Sequence, residues 1–365
     1  MEPSKIRGEA PRLQGGITMP DRTPKQMFLD MAKGIQPDRM LQYCYFPNPY
    51  AKFPLTCMNM NTSALAHTPT ETGELIDIWG VPYVTTRETG YSPLPKPGVF
   101  ILKDIADWRD VIKAPDLSGV DWKAVAEKDL AGLAAMGVDR NESAVGLMTH
   151  LGYFQQIMSF MGFEVGLCAM MEDPEEMKAL VDYMSAFYCD VVDHIIDLYK
   201  PDFLQITDDL ATWKAPFMSL QQYRTLFRPA YEDLIRFAKD RNIPVAMHCC
   251  GNCTMFIDDW LEMGVTYWDP AQLSNDLVAI QKKYGDRLVI CGGFDMTGEL
   301  SDVNITEEKY KSIVRETIDR YTKYGMYVFD GWLFCDPEDE ILNSHNRWTT
   351  EVCEDYGVDA YRRNR

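Results

Sequence analysis

From Val145 onward, short apolar runs alternate with longer stretches in which apolar residues recur every three or four positions. The short runs are VGLMTH, DFLQITDD, PVAMHC, VTYWDP, RLVICGGFD and MYVFDG. Each is strand-length, and each is followed by a segment of helical periodicity. Those helices are expected from Tyr153 to Met161, from Pro174 to about Tyr199, after Ser219, over MFIDDWLEMG, from Asn275 to Tyr284, from Glu307 to Tyr324, and in a last segment to about Tyr356. Two starts carry explicit signals. Asp173 precedes Pro174 with Glu176 at the third helical position, and Ser219 is followed three residues later by Gln222. Both patterns satisfy the first free backbone N–H groups of a helix.

The first part of the chain is less regular. Residues 1–22 read as a loose arm, and residues 23–365 as one domain. Thr23, Pro24 and Gln26 open a helix with a capping box. MLQYCYF, Met40 to Phe46, reads as a buried strand. The stretch from Ala51 to Asp116 is rich in Pro, Thr and Gly; it predicts irregular structure with short hairpins and a helix near 104–112. Strands alternating with helices imply parallel βαβ units, and about eight such units fit the chain. The expected fold is therefore α/β, a (β/α)8 TIM barrel with an N-terminal helical and irregular extension. An open doubly wound sheet is the alternative, but no spaced glycine triplet marks a nucleotide-binding turn.

Composition narrows the function. The chain has 365 residues, long enough to bury a core without disulfides. Its net charge of −19 opposes binding to phosphate backbones, so nucleic acid is not an expected partner. No run of about 18 apolar residues predicts a membrane span. The segment MEPSKIRGEAPRLQGG has no apolar core of a signal peptide, so a cytoplasmic location is expected, with thiols reduced.

A barrel places its chemistry at the C-terminal ends of its strands. Those ends carry His150, Asp208 and Asp209, His248 with Cys249 and Cys250, Trp268 with Asp269, Asp295, and Asp330 leading to Cys335. In MHCCGNC, His248 and Cys250 are two apart, so strand alternation puts them on one face and turns Cys249 to the other. His and Cys on one face suit zinc, which needs a third protein ligand and keeps a fourth position open in a catalytic site. Cys335, after the last strand, is the expected third ligand, and Cys253 is its rival. A Cys250–Cys253 redox pair and inert buried cysteines are the competing readings. Asp208, Asp209 and His150 are candidate catalytic groups; adjacent carboxylates on a strand end face opposite sides, so one of the two aspartates is expected to face the site. Tyr153, Trp213, Trp268, Asp295 and Trp332 are candidate substrate contacts, with Phe154, Phe217 and Phe334 near them.

Several longer stretches resemble the uroporphyrinogen decarboxylase superfamily: TPKQMFLDMAKGIQPDRM, DIWGVPY, DPEEMKALVDYM, ITDDLATWKAPFMSLQQYRTLFRPAY, VAMHCCGN with LEMGVTYWDPAQ, and YGDRLVICGGFD. The resemblance implies a (β/α)8 barrel. True decarboxylases carry an arginine-rich R-Q-A-G-R segment that clamps the acidic arms of the porphyrinogen. Here the corresponding region, QYCYFPNPYAKF, has no arginine. The chain is closer to the corrinoid-dependent methyltransferases, in which a His-x-Cys motif and a distant Cys bind zinc; His248, Cys250 and Cys335 stand at the matching positions. That branch implies methyl transfer between a small methylated substrate (a methoxyarene or other methyl ether, a methylamine or a methylthiol) and cobalamin on a corrinoid-binding partner protein, which includes O-demethylation. The alternatives are a decarboxylase of a smaller carboxylic acid and a non-catalytic partner of a corrinoid protein. A homodimer is the commonest assembly for such a chain.

Overall fold

In a computed structural model, eight parallel strands form a nearly closed barrel. The structure describes residues 22–71, 74–86, 92–148, 152–333, 335 and 338–364. The barrel strands are β1 (Gln42–Tyr43), β2 (Cys57–Met60), β7 (Ala144–Met148), β8 (Phe203–Thr207), β9 (Val245–His248), β10 (Val265–Ala271), β11 (Val289–Gly292) and β12 (Tyr327–Asp330). Their order around the sheet is β1-β12-β11-β10-β9-β8-β7-β2, and every paired neighbour is parallel. Four short strands, β3 (Thr68–Pro69), β4 (Leu75–Ile76), β5 (Pro82–Val84) and β6 (Leu94–Pro95), make a separate antiparallel sheet between β2 and β7.

The alternation of side chains sorts the core into two bodies. Inside the barrel sit Tyr43, Cys57, Ala144, Phe203, Ala246, Tyr267, Val289 and Val328. The helix Pro24–Met31 closes the N-terminal end of this interior with Met27, Phe28 and Met31. Phe28 stacks on Tyr267 at 4.4 Å, and the Tyr267 hydroxyl donates to the Phe28 carbonyl at 2.5 Å. The second, larger body fills the space between the strands and the surrounding helices. Two residues further along each strand the inward positions become Asn59, Gln205, His248, Asp269 and Asp330. An apolar plug below and a polar layer above is what the two-residue period of these strands dictates.

Helix starts follow the sequence signals. Thr23 and Gln26 form the expected capping box on Pro24–Met31, Asp173 caps Pro174–Tyr199, and Ser219 and Gln222 form the second box. Elsewhere the structure corrects the reading. The strand expected over Met40–Phe46 shrinks to Gln42–Tyr43, because the chain turns at Cys44 toward the prolines that follow. The helix near 104–112 is two short turns, Ile105–Asp107 and Trp108–Val111. Strand β2 and the helices Trp122–Ala135 and Phe163–Glu172 were not legible, since their flanking Gly and Pro read as loop. Of the expected arm, residues 1–21 lie outside the described residues; Arg22 is tied to Asp30 and Asp38. Among the described residues no helix is long and apolar enough to cross a membrane. None of the ten cysteines is in a disulfide.

Candidate metal centre and its cavity

Strand β9 delivers His248 into the barrel mouth at the end of its inward-facing row, and Cys250 follows two residues later. The turn at Gly251 is backbone-limited. Its φ is +89°, and a Cβ there would lie 2.6 Å from the Ala211 and Thr212 carbonyl oxygens. Only glycine lets the chain leave β9 this close to the loop after β8.

That loop brings Asp209. Ligand atoms of Asp209, His248 and Cys250 all lie within 4.8 Å of one another. A tetrahedral zinc with bonds of about 2.0–2.3 Å spaces its ligand atoms by about 3.3–3.8 Å, so this trio needs little adjustment to hold one. Each ligand is held from behind. Cys250 donates its backbone N–H to Asp209 Oδ1 at 2.7 Å, and Gln155 Nε2 donates to Asp209 Oδ2 at 3.0 Å. His248 Nδ1 sits 2.8 Å from Asp269 Oδ2, and Asp269 Oδ1 accepts from Gln205 Nε2 at 2.8 Å. With a carboxylate acceptor on Nδ1, that nitrogen carries the proton and Nε2 is the nitrogen left to hold a metal. A carboxylate behind a histidine is the arrangement that fixes the tautomer and strengthens a metal-ligating imidazole.

The electrostatics agree with a site built for a cation. Burial works against a charged imidazole, but the Asp269 carboxylate and the Cys250 sulfur outweigh it and hold His248 well above its ordinary range. Burial pushes the Cys250 thiol up, His248 pulls it back, and Asp209 adds to the rise. Burial next to Asp269 pushes the Asp330 carboxyl up to about 7, with His248 opposing. A divalent ion would neutralise this excess of buried acid and displace protons from His248 and Cys250 as it binds.

The two adjacent aspartates separate as alternation requires. Asp209 faces the cluster, whereas Asp208 turns away and is fully buried. Asp208 accepts from the backbone N–H of Phe154 at 2.8 Å and of Gln155 at 3.0 Å, and from the Tyr231 hydroxyl at 2.5 Å. It caps the helix Tyr153–Met161 from outside that helix. Gly152 permits this: a Cβ there would lie 1.9 Å from Asp208 Cγ. Asp208 therefore positions the helix that carries Gln155, and through it Asp209.

Other candidates disperse. Cys335 stays outside the trio. β12 ends at Asp330 and the chain leads to the helix Glu340–Asp355, so the Cys335 sulfur lies 3.7 Å from Asn343 Oδ1 and 3.8 Å from Asn346 Nδ2. Cys253 packs its sulfur 3.3 Å from that of Cys249, both buried, and meets Cys250 at its backbone carbonyl, 3.1 Å away. Tyr153 is buried among Tyr188 and Tyr231. Trp268 faces outward from β10 onto Trp260 and donates to the Cys249 carbonyl at 3.0 Å. Both are core residues in this conformation. Asp295 lines a separate cavity of about 230 Å³ by the helix Glu307–Thr322 and accepts from Leu273 N–H at 2.7 Å. Trp213 is exposed in the loop after β8, and Trp332 is half-buried after β12. His150 and Phe334 lie outside the described residues.

The cluster opens on a cavity of about 700 Å³ that reaches from His248 to the helix Trp122–Ala135. Its wall is mainly apolar and rich in methionine, with Met58, Met60, Met136 and Met148. That volume lies within the range of small-ligand sites. This cavity and the Gln205–Asp269 support were missed from sequence. Inward alternation along β8 was the available signal for Gln205, two residues before Thr207.

Residues 150–330 match the family profile of uroporphyrinogen decarboxylase (URO-D). The matched stretch includes β8 to β12 and so contains Asp209, His248, Cys250 and Asp269. A solved methyltransferase from Methanosarcina mazei is similar in structure, with TM-score 0.57 and 12% identity, over 92% of this chain and 99% of that one. At that identity the likeness is one of fold. A D-allulose 3-epimerase from Methylomonas sp. is 15% identical over 64% of this chain and 92% of its own, with TM-score 0.32. No curated protein matches the sequence.

Proposed function

We propose that the protein is a zinc-dependent methyltransferase that moves a methyl group between a small methylated compound and cobalamin carried by a corrinoid-binding partner. The observation that supports this most is the Asp209–His248–Cys250 trio, backed by Asp269 and opening on an apolar cavity. The methyltransferase fold neighbour is in keeping with it. In the demethylating direction the carbon–heteroatom bond of the substrate breaks and a cobalt–carbon bond forms, with the electron pair supplied by cob(I)alamin. The heteroatom leaves with the bonding pair and takes up a proton. Zinc held by the trio would supply Lewis acidity toward that departing heteroatom. The chain's own residues do the rest. Asp269 keeps the His248 ligand nitrogen aimed at the mouth, Gln155 and the Cys250 N–H fix Asp209, and the methionine wall gives the reacting end an apolar lining.

A porphyrinogen substrate fits poorly, because many carboxylates need several cations. Among the described residues Lys128 is the only Lys or Arg on the cavity wall. Arg39, in the N-terminal part of the barrel, is buried against Phe53 away from that cavity.

Metal analysis of the purified protein tests the reading: about one zinc per chain is expected, lost in His248→Ala and in Cys250→Ala. Cobalt–carbon bond formation, followed by the visible spectrum of cob(I)alamin mixed with a methoxyarene and the protein, tests the transfer. Protein free of zinc, or transfer undiminished in both variants, overturns it. Asp209→Ala and Cys335→Ala compared in the same metal analysis decide which of the two is the third ligand.

A further inference from the structure

The barrel has one seam. β1 and β2 are the two ends of the strand order, and among the described residues no backbone pairing joins them. The mouth cavity takes wall residues from both sides of it: Tyr45 and Phe46, just past β1, and Met58, Asn59 and Met60 of β2.

A side-chain bond crosses the seam. Asn59 Nδ2 of β2 donates to the Tyr43 hydroxyl of β1 at 2.8 Å. The Tyr43 ring is buried in the interior plug, so the hydroxyl is fixed at the plug's upper edge, below the polar layer. β7 is shaped to admit this bond. Gly146 is the register partner of Asn59, and a Cβ on it would overlap Asn59 Oδ1 and the Phe203 ring. Any side chain there would push the Asn59 amide off its place.

The Tyr43 hydroxyl has a second donor. Gln205 Nε2 lies 3.5 Å from it and also donates to Asp269 Oδ1 at 2.8 Å. Asp269 Oδ2 in turn meets His248 Nδ1 at 2.8 Å. β2, β1, β8, β10 and β9 thus contribute one residue each to a chain of hydrogen bonds. It starts at the seam and ends on a candidate metal ligand. An amide nitrogen with acceptors for both its hydrogens resists the half-turn that would set its carbonyl against the Asp269 carboxylate. Buried chains of this kind orient their members as a unit, so loss of a remote member is felt at the end.

We infer that Tyr43 is a positioning residue for the metal site. Its hydroxyl holds β1 to β2 across the seam and, through Gln205 and Asp269, sets the orientation of the His248 imidazole. A phenylalanine ring would fill the plug equally well, so the role belongs to the hydroxyl. The inference deepens the metal site proposed above, and the zinc arm of its test rests on that reading.

Tyr43→Phe keeps the ring and removes the hydroxyl; Asn59→Ala removes the donor across the seam and leaves the plug intact. In metal-free protein, the side-chain nitrogen–proton NMR correlations of His248, assigned by their loss in His248→Ala, are expected to shift in both variants. In competition with a zinc-binding dye, Tyr43→Phe is expected to weaken zinc binding about three- to tenfold, the scale of one neutral hydrogen bond. Tyr43→Phe combined with Asp269→Asn is expected to lose less than the product of the two separate losses, because both act along one chain. His248 correlations unmoved in both variants, or separate losses that simply multiply, overturn the inference and leave Tyr43 a packing residue. The two proposals fail separately. If the wild type binds no zinc while His248 still answers to Tyr43→Phe, the zinc reading falls and the positioning role stands. If the wild type binds zinc and neither variant changes its affinity, the zinc reading stands and the positioning role falls.

Discussion

At the scale of single residues, the decisive contacts are those behind the candidate metal trio. His248 can present one nitrogen to a metal because Asp269 holds the other at 2.8 Å, and Asp269 is itself held by Gln205. Asp269→Asn keeps the shape but weakens the acceptor and lets the ring flip. We expect a 10–100-fold loss of zinc affinity, typical when the support of a metal histidine is removed, with the protein still folded. Competition with a zinc-binding dye measures it; unchanged affinity would show that Asp269 supports structure alone. Sequence alternation was enough to pair His248 with Cys250 and to split Asp208 from Asp209. It could not say which aspartate faces inward. That depends on the path of β8 and on Tyr231, a residue 23 positions away that takes Asp208.

At the scale of elements, the site hangs on the start of the helix Tyr153–Met161. Asp208 caps it, Gly152 makes room for the carboxylate, and Gln155 in its first turn reaches Asp209. Gly152→Ala would put a methyl group 1.9 Å from Asp208 Cγ. Displacing the cap strands two backbone N–H groups, at about 1–3 kcal/mol each. A clearly lower denaturant midpoint is therefore expected, together with weaker zinc binding because Gln155 shifts; a midpoint within error of wild type refutes the cap. The helix itself was legible as an apolar run, but its cap was not. Caps read from sequence are local, as at Thr23 and Ser219, whereas this one comes from another strand. Cys335 shows the same limit. Sequence order placed it after the last strand, and the approach to the helix Glu340–Asp355 sets it beside Asn343 and Asn346.

For the whole molecule, buried acid sets a pH dependence. Burial pushes Asp208 up to about 7, against its hydrogen bonds, and Asp330 to about 7 beside Asp269. A carboxyl with a raised folded pKa keeps a proton that the unfolded chain has lost. Its contribution to stability is full below about pH 4 and declines as pH rises to about 7. Surface carboxylates paired with Lys or Arg act in the opposite sense, so the difference between variants is the informative quantity. Asp208→Asn should flatten the decline between pH 4 and 7 relative to wild type, read from denaturation midpoints across that range. A parallel pair of curves would mean Asp208 stays ionised in the folded protein, stabilised by its three donors.

The sequence by itself determined the barrel and which polar residues end its strands. Strand and helix periods are local properties, and parallel strands joined by helices leave few ways to close. It also determined that His248 and Cys250 share a face, since two residues is the strand period. Only the tertiary structure decided that Asp209 joins them, that Asp269 and Gln205 stand behind them, that Trp268 and Tyr153 are core, and that four methionines from β2, β7 and the end of the helix Trp122–Ala135 line one cavity. These pairings join residues from different strands and helices, and no local period encodes which strand ends meet.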